Sequence, residues 1–248
     1  MSERSGATRQ RAVHTPRPAA AGKSPAAWAV LLATIIIATT ADLWSKHAAF
    51  ERVASVPVDI RRADVLDAER LGELIPRHEP VTVVPHGLEF TLVLNPGAVF
   101  GIGAGQRWIF VAFTLVALAV GGLLFARWTT PRDRGAHVAI GLLVAGGLGN
   151  LYDRLALACV RDFIHPLPGV NLPFGLAWPN GATEIWPWVS NVADLWLLIG
   201  IGVLLVLTWR HPAEQPAEQP VDQPADEPKA DQHSAGEARS PEARSPEA

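Results

Sequence analysis

Gly146-Gly-Leu-Gly-Asn-Leu-Tyr-Asp-Arg-Leu-Ala-Leu-Ala-Cys-Val-Arg-Asp-Phe-Ile164 begins inside an apolar segment. It then places Asn150, Asp153, Arg154 and Asp162 where lipid or packed helix is expected. Ionisable groups at membrane depth are costly, so they mark a functional site or a structural ion pair by default. Further along, Asn191 and Asp194 open the last apolar segment and set a second carboxylate in a similar position. Two carboxylates at the ends of two membrane helices point to a catalytic pair.

The surrounding composition supports a membrane setting. Charged residues make up 18% of the 248, against roughly 25% in soluble domains. They concentrate in the two tails and in residues 51–80, leaving long stretches nearly free of charge. That pattern belongs to a polytopic membrane protein. Cys159 is the single cysteine, which excludes an intramolecular disulfide and any multi-cysteine metal site. No basic stripe interleaved with aromatics is present, so nucleic acid is not an expected partner. Neither a metal nor a cofactor is expected.

The chain reads as four transmembrane helices, with spans at about 26–44, 108–128, 136–157 and 189–209, within a membrane domain of residues 26–210. Residues 1–25 form a basic tail, and residues 211–248 an acidic, Pro-rich one that repeats AEQP and ARSPE. Neither tail can bury a core, so both are read as disordered. Residues 51–80 are polar and suggest a short surface helix around Ala63–Ile75. Val81–Val84 and Leu88–Leu94, around Pro85-His86-Gly87, read as a β-hairpin within an element of about 81–100. Leu88, Phe90, Leu92 and Leu94 fall on one face, which is expected to lie flat on the membrane. In the third span Gly141, Ala145 and Gly149 recur every four residues, the spacing that lets membrane helices pack backbone to backbone. Residues 161–188 read as an exposed loop.

Orientation follows from the arginines. The N-terminal tail, the loop containing Arg127, Arg132 and Arg134, and Arg210 share one side if there are four spans. The positive-inside rule makes that side, with both termini, cytoplasmic. Asp42, Asn95, Asn150, Asp153, Arg154, Asp162, Asn191 and Asp194 then converge at the outer face. Two nearby carboxylates cannot both ionise cheaply, so the pair shares a proton. In aspartic proteases one such carboxylate activates water while the other polarises the scissile carbonyl. Asp153 lies beside Arg154, and Asp42 can pair with Lys46 four residues on, so both suit ionised, structural roles. Asp162 and Asp194 have no cation committed to them, the Arg161 side chain being expected to point away. They are the expected pair. Asn95, Asn150 and Asn191 offer neutral donors and acceptors to a peptide backbone. A substrate strand could run along the hairpin's open edge.

Five short motifs, in order across the four spans, resemble those of the signal peptidase II family. Asp42-Leu-Trp-Ser-Lys46 is similar to D-x-x-[ST]-K, and Asn95-Pro-Gly-Ala-Val-Phe-Gly101 to N-x-G-A-A-F-G. Gly146 to Arg154 resembles G-G-x-x-G-N-x-x-D-R, Val160-Arg-Asp162-Phe resembles V-x-D-F, and Asn191-Val-Ala-Asp194 resembles F-N-x-A-D. The resemblance covers about residues 26–210. It implies an aspartic endopeptidase of the bacterial inner membrane that cuts signal peptides from diacylglyceryl-modified prolipoproteins, immediately before the lipidated cysteine. It maps catalysis onto Asp162 and Asp194. Substrate binding maps onto Asn95, Gly97, Asn150, Arg154 and Asn191, and support onto Asp42, Lys46 and Asp153. It also implies lipidated prolipoproteins and membrane lipids as partners, a monomer, and inhibition by the cyclic peptide globomycin. Val99 and Ser190 depart from the family's usual alanine and phenylalanine.

Two other classes compete. A small proton- or cation-coupled transporter would also use intramembrane acids, but it needs polar groups along its whole path, and these gather at one face. A non-catalytic scaffold would use the same cluster as structural glue between helix ends.

Overall fold

The computed structural model describes residues 19–97 and 107–210. Residues 1–18 of the basic tail, the whole acidic tail 211–248, and the second half of the Asn95 motif including Val99 lie outside the described residues. Among the described residues four helices are long and apolar enough to cross a membrane. These are α1 (Pro25–Arg52), α3 (Arg107–Trp128), α4 (Arg134–Ala156) and α5 (Val192–Arg210), with a short α2 (Arg62–Asp67) between the first two. The protein is therefore an α-helical, multi-pass membrane protein.

α1 starts where local chemistry dictates. Ser24 caps it by accepting the Ala27 N–H, and Pro25 occupies the first helical position, where its missing N–H costs nothing. Just before it, Ala21–Lys23 forms a turn in which the Ala21 N–H donates to the Thr129 carbonyl at 2.8 Å. The helix runs well past Trp44, because Asp42, Lys46, Ala49 and Phe50 continue one buried stripe. Its outer side remains polar, with His47 and Glu51 four residues apart and exposed.

α4 is the central helix and packs against α1, α3 and α5. Its small residues make this possible, as their spacing suggested. Gly141 lies against Thr34 of α1, and Gly149 against the Asp42 carboxylate. A methyl group on Gly146 would sit 2.5 Å from the Ala193 carbonyl oxygen of α5. Backbone cannot yield there as a flexible side chain would. Gly146→Ala is therefore expected to push α5 off α4 and destabilise the protein by about 1–3 kcal/mol. A fall in the thermal midpoint of purified protein would show this, and an unchanged midpoint would contradict the close packing.

Outside the helices, β1 (Val81–Val84), β2 (Leu88–Asn95) and β3 (Val160–Pro166) form one antiparallel sheet in the order β1-β2-β3. Three expectations are corrected here. Residues 160–166 are a strand rather than the start of an exposed loop: Val160 and Asp162 are buried and pair with Asn95 and Val93 of β2, while buried Phe163 falls at a register shift and donates its N–H to the Ser190 carbonyl. The apolar face of the hairpin does not rest on the membrane. Leu92 and Leu94 join Phe50, Ile60, Val65 and Phe163 in one core, so residues 51–75 cover that face. Within that cover, the expected helix over Ala63–Ile75 is α2 followed by a separate turn at Leu71–Leu74. A six-residue helix is too short to stand alone and depends on Val65 being buried in the core. The chain after β3 is tied back to the sheet by His165, whose Nδ1 lies 2.9 Å from Glu89 and Nε2 3.2 Å from Glu184.

Candidate active site

Asp162 lies on β3 opposite Val93 of β2, and residues directly opposite in an antiparallel pair project to the same face. Its carboxyl group is 2% exposed. Oδ2 accepts the Asn95 side-chain N–H at 3.1 Å, and Oδ1 accepts the Asn191 side-chain N–H at 2.5 Å. Burial pushes the Asp162 carboxyl up to about 7, the charge on Asp194 adds to the rise, and the two asparagine hydrogen bonds oppose it. Asn95 itself is fixed by accepting the Gly97 N–H at 2.9 Å. Gly97 has φ +96° and is buried, and a side chain there would meet the Phe110 ring at 2.9 Å. Only glycine satisfies both conditions.

Asp194 is held differently. Asn191 is the residue capping α5 and Asp194 stands three positions on. The Asp194 N–H donates to Asn191 Oδ1, and the Asn191 N–H donates to Asp194 Oδ2, each at 3.2 Å. This reciprocal arrangement is a capping box. It places a carboxylate at the positive end of a helix, where negative charge is favoured. The other oxygen, Oδ1, accepts the Asn150 side-chain N–H at 2.8 Å. Asp194 is only half-buried.

Asn150 and Asn191 join the two acids. The Asn191 Nδ2 group donates to both Asp162 and Asn150 Oδ1, while the Asn150 Nδ2 group donates to Asp194. Each amide is thus oriented by its neighbours, which fixes which end faces which acid. Behind them Lys46, fully buried, donates to Asp42 at 2.8 Å and to Asn150 Oδ1 at 3.0 Å, with Asp153 at 3.7 Å. Asp42 also accepts the Ala193 N–H at 2.8 Å, anchoring α5 to α1. The network therefore spans α1, α4, α5, β2 and β3.

The structure brings Asp42, Lys46, Asn95, Asn150, Asp153, Asp162, Asn191 and Asp194 together. Two pairings differ from expectation. Asp153 is matched with Arg161 rather than Arg154: Arg161 donates from its backbone at 3.1 Å and from its guanidinium at 2.8 Å. The Arg161 side chain does point away from Asp162, because Asp153 holds it. Arg154 instead donates to the Asn150 carbonyl at 3.2 Å, lies over Phe110 at 5.4 Å, and makes no ion pair among the described residues. Its Nε is buried without a partner, leaving a cation facing the site with donors to spare. Sequence reasoning also passed over His78, which receives the Leu92 N–H on Nε2 at 3.1 Å. A lone histidine in a polar loop carries no signal of such a contact.

A family model described as signal peptidase (SPase) II matches residues 34–210. A lipoprotein signal peptidase of Desulfitobacterium hafniense (strain DSM 10664 / DCB-2) is 35% identical over 130 residues, covering 52% of this chain and 74% of that protein. Another, from Anaeromyxobacter sp. (strain Fw109-5), is 31% identical over 189 residues, covering 72% of this chain and 84% of its own. A solved structure described as a bacterial membrane enzyme superposes with a TM-score of 0.51 at 21% identity, covering 83% of this chain and 99% of that one. That likeness speaks to the fold. The order of spans, the sheet and the extent of the family match agree, and the chain belongs to the signal peptidase II family of membrane peptidases.

Proposed function

We propose that the protein is an aspartic endopeptidase of the bacterial inner membrane, cutting diacylglyceryl-modified prolipoproteins immediately before the lipidated cysteine, with Asp162 and Asp194 as catalytic residues. The supporting observation is the unequal setting of two acids joined through Asn150 and Asn191. Asp194 sits half-buried in the capping box of a helix N-terminus, while buried Asp162 favours the neutral form. Asp194 takes a proton from water as its oxygen attacks the scissile carbonyl carbon. Asp162, whose oxygens already accept from two asparagines, directs its O–H to the open side and donates to the carbonyl oxygen. Collapse of the tetrahedral intermediate breaks the C–N bond and returns one proton to the departing amine. Arg154, with unspent donors, holds a substrate carbonyl beside the pair. The site faces outward, both termini are cytoplasmic, the enzyme is a monomer, and globomycin occupies the same cleft.

Cleavage of a lipidated lipobox peptide by purified protein, blocked by globomycin, tests this reading, and no cleavage would remove it. The pH profile adds a sharper expectation. With Asp162 at about 7, activity falls on the alkaline side as pH rises through about 7, because the proton donor is lost. The same shift has a stability consequence. The folded chain keeps this proton above the unfolded value of 3.8, so the stabilisation is full below that value and disappears as pH rises through about 7. Asp162→Asn should flatten that part of the stability profile, and a persisting slope would assign it elsewhere.

A further inference from the structure

β3 has a second partner besides β2. Ser190, two residues before α5 begins, lies beside Ile164 on the edge of β3 away from β2. Its carbonyl accepts both the Phe163 and the Ile164 N–H at 2.8 Å, and its own N–H donates back to the Ile164 carbonyl at 2.8 Å. The same Ile164 oxygen accepts the Ser190 hydroxyl at 3.3 Å, as a carbonyl with two lone pairs can. Among the described residues, every backbone hydrogen bond between β3 and the chain entering α5 runs through Ser190. Phe163 follows Asp162 directly, and Asn191 follows Ser190. Asn191 in turn reaches Asp162 with its side chain and closes the capping box with Asp194. The pairing of β3 with β2 shifts register at the same place, between Phe90 and Val93. Such a shift interrupts the ladder locally, so the peptide after Asp162 is held from the Ser190 side.

We infer that Ser190 is a positioning residue for the acid pair, latching β3 to the cap of α5 and so fixing the separation of Asp162 and Asp194. The inference rests on the aspartate reading above and names what holds its geometry. The other ties on the start of α5 lead elsewhere. Asp42 receives the Ala193 N–H and Asn150 donates to Asp194, which joins α5 to α1 and α4 but not to β3. The Asn191 amide does touch Asp162, but a side chain with rotatable bonds fixes a distance only when the backbone carrying it is fixed. Ser190 fixes that backbone. The tolerance is small, since a misplacement of about 1 Å can cost on the order of 10²-fold in rate. Phenylalanine, the family's usual residue at this place, would keep the peptide links and lack the hydroxyl. Serine therefore makes the latch sensitive to the side chain as well as to the backbone.

The test compares Ser190→Thr, Ser190→Ala and Ser190→Pro in the full chain in lipid bilayers. Threonine keeps the hydroxyl, alanine removes it, and proline removes the N–H as well. For a lipidated substrate, kcat should stay within about twofold for Ser190→Thr, fall about threefold for Ser190→Ala and at least about tenfold for Ser190→Pro, with KM steady. If Ser190→Pro does not insert, the contrast of Ser190→Ala with Ser190→Thr decides. A second measurement needs no turnover. The infrared carbonyl band of the protonated Asp162 carboxyl, identified by its loss in Asp162→Asn, should move in Ser190→Ala and not in Ser190→Thr. Unchanged kcat in Ser190→Ala, a lower melting temperature with kcat intact, or a loss confined to KM would overturn the positioning role. If the unsubstituted protein cleaves nothing, the aspartate reading fails and the infrared band alone judges the latch, which an unmoved band would overturn.

Discussion

Asp162→Asn is expected to lower cleavage of a lipidated prolipoprotein by at least about 10³-fold, while the protein still inserts and folds. The asymmetry of the site explains both halves. Asn has the size of a protonated carboxyl group, and Asp162 is already pushed toward neutrality by burial. The change therefore costs about 1 kcal/mol of stability, from one imperfect contact with Asn95 or Asn191. The amide cannot release a proton to the scissile carbonyl, so the chemistry stops. Asp194→Asn should be as damaging to turnover for the opposite reason, since it removes the group that takes the proton from water. It also turns an N–H toward the Asn150 donor. Single-turnover cleavage beside a thermal melt separates the two effects. Appreciable turnover by either variant would dissolve the pair, and a collapsed melt for Asp162→Asn would mean that its role is structural.

Lys46→Met should produce the largest loss of stability, about 3–5 kcal/mol. Lys46 is fully buried between Asp42, Asn150 and Asp153. Methionine fills the space, but it strands a buried carboxylate on Asp42 and leaves Asn150 Oδ1 short of a donor. Asp153 retains Arg161 and is the less affected neighbour. Because Asp42 also receives the Ala193 N–H, relaxation at Asp42 should shift the start of α5 and with it Asp194. Activity then falls together with the melting temperature. The double change of Asp42→Asn with Lys46→Met removes both charges and should recover part of the loss. If the double variant melts no higher than Lys46→Met alone, the ion pair is not what holds the outer ends of α1 and α5 together.

Both predictions rest on one network, but its parts were not equally readable. Asp42 and Lys46 stand four apart, and Asn191 and Asp194 three apart, so helix geometry alone places each pair on a common face. Gly141, Ala145 and Gly149 announce close helix packing in the same way. These are local, periodic signals, and the structure agrees with them. β3 gave no such signal, since seven residues of mixed apolar and charged character soon after a helix have no period to detect. Asp153 illustrates the limit most clearly. Its neighbour in sequence is Arg154, yet its partner is Arg161, because the chain leaves α4 and doubles back as β3.

The sequence by itself determined four membrane spans, their small-residue packing, the hairpin and the two acids worth testing. Each of these follows from hydrophobic length, helical period or short-range spacing. Only the tertiary structure decided which groups face one another. It seats Asp162 on a buried strand and Asp194 at a helix cap, ties them through Asn150 and Asn191, and gives Asp153 to Arg161. Those contacts join residues far apart in the chain, and their free energies depend on burial and on the direction of each donor. Neither quantity exists until the helices and the sheet have packed together.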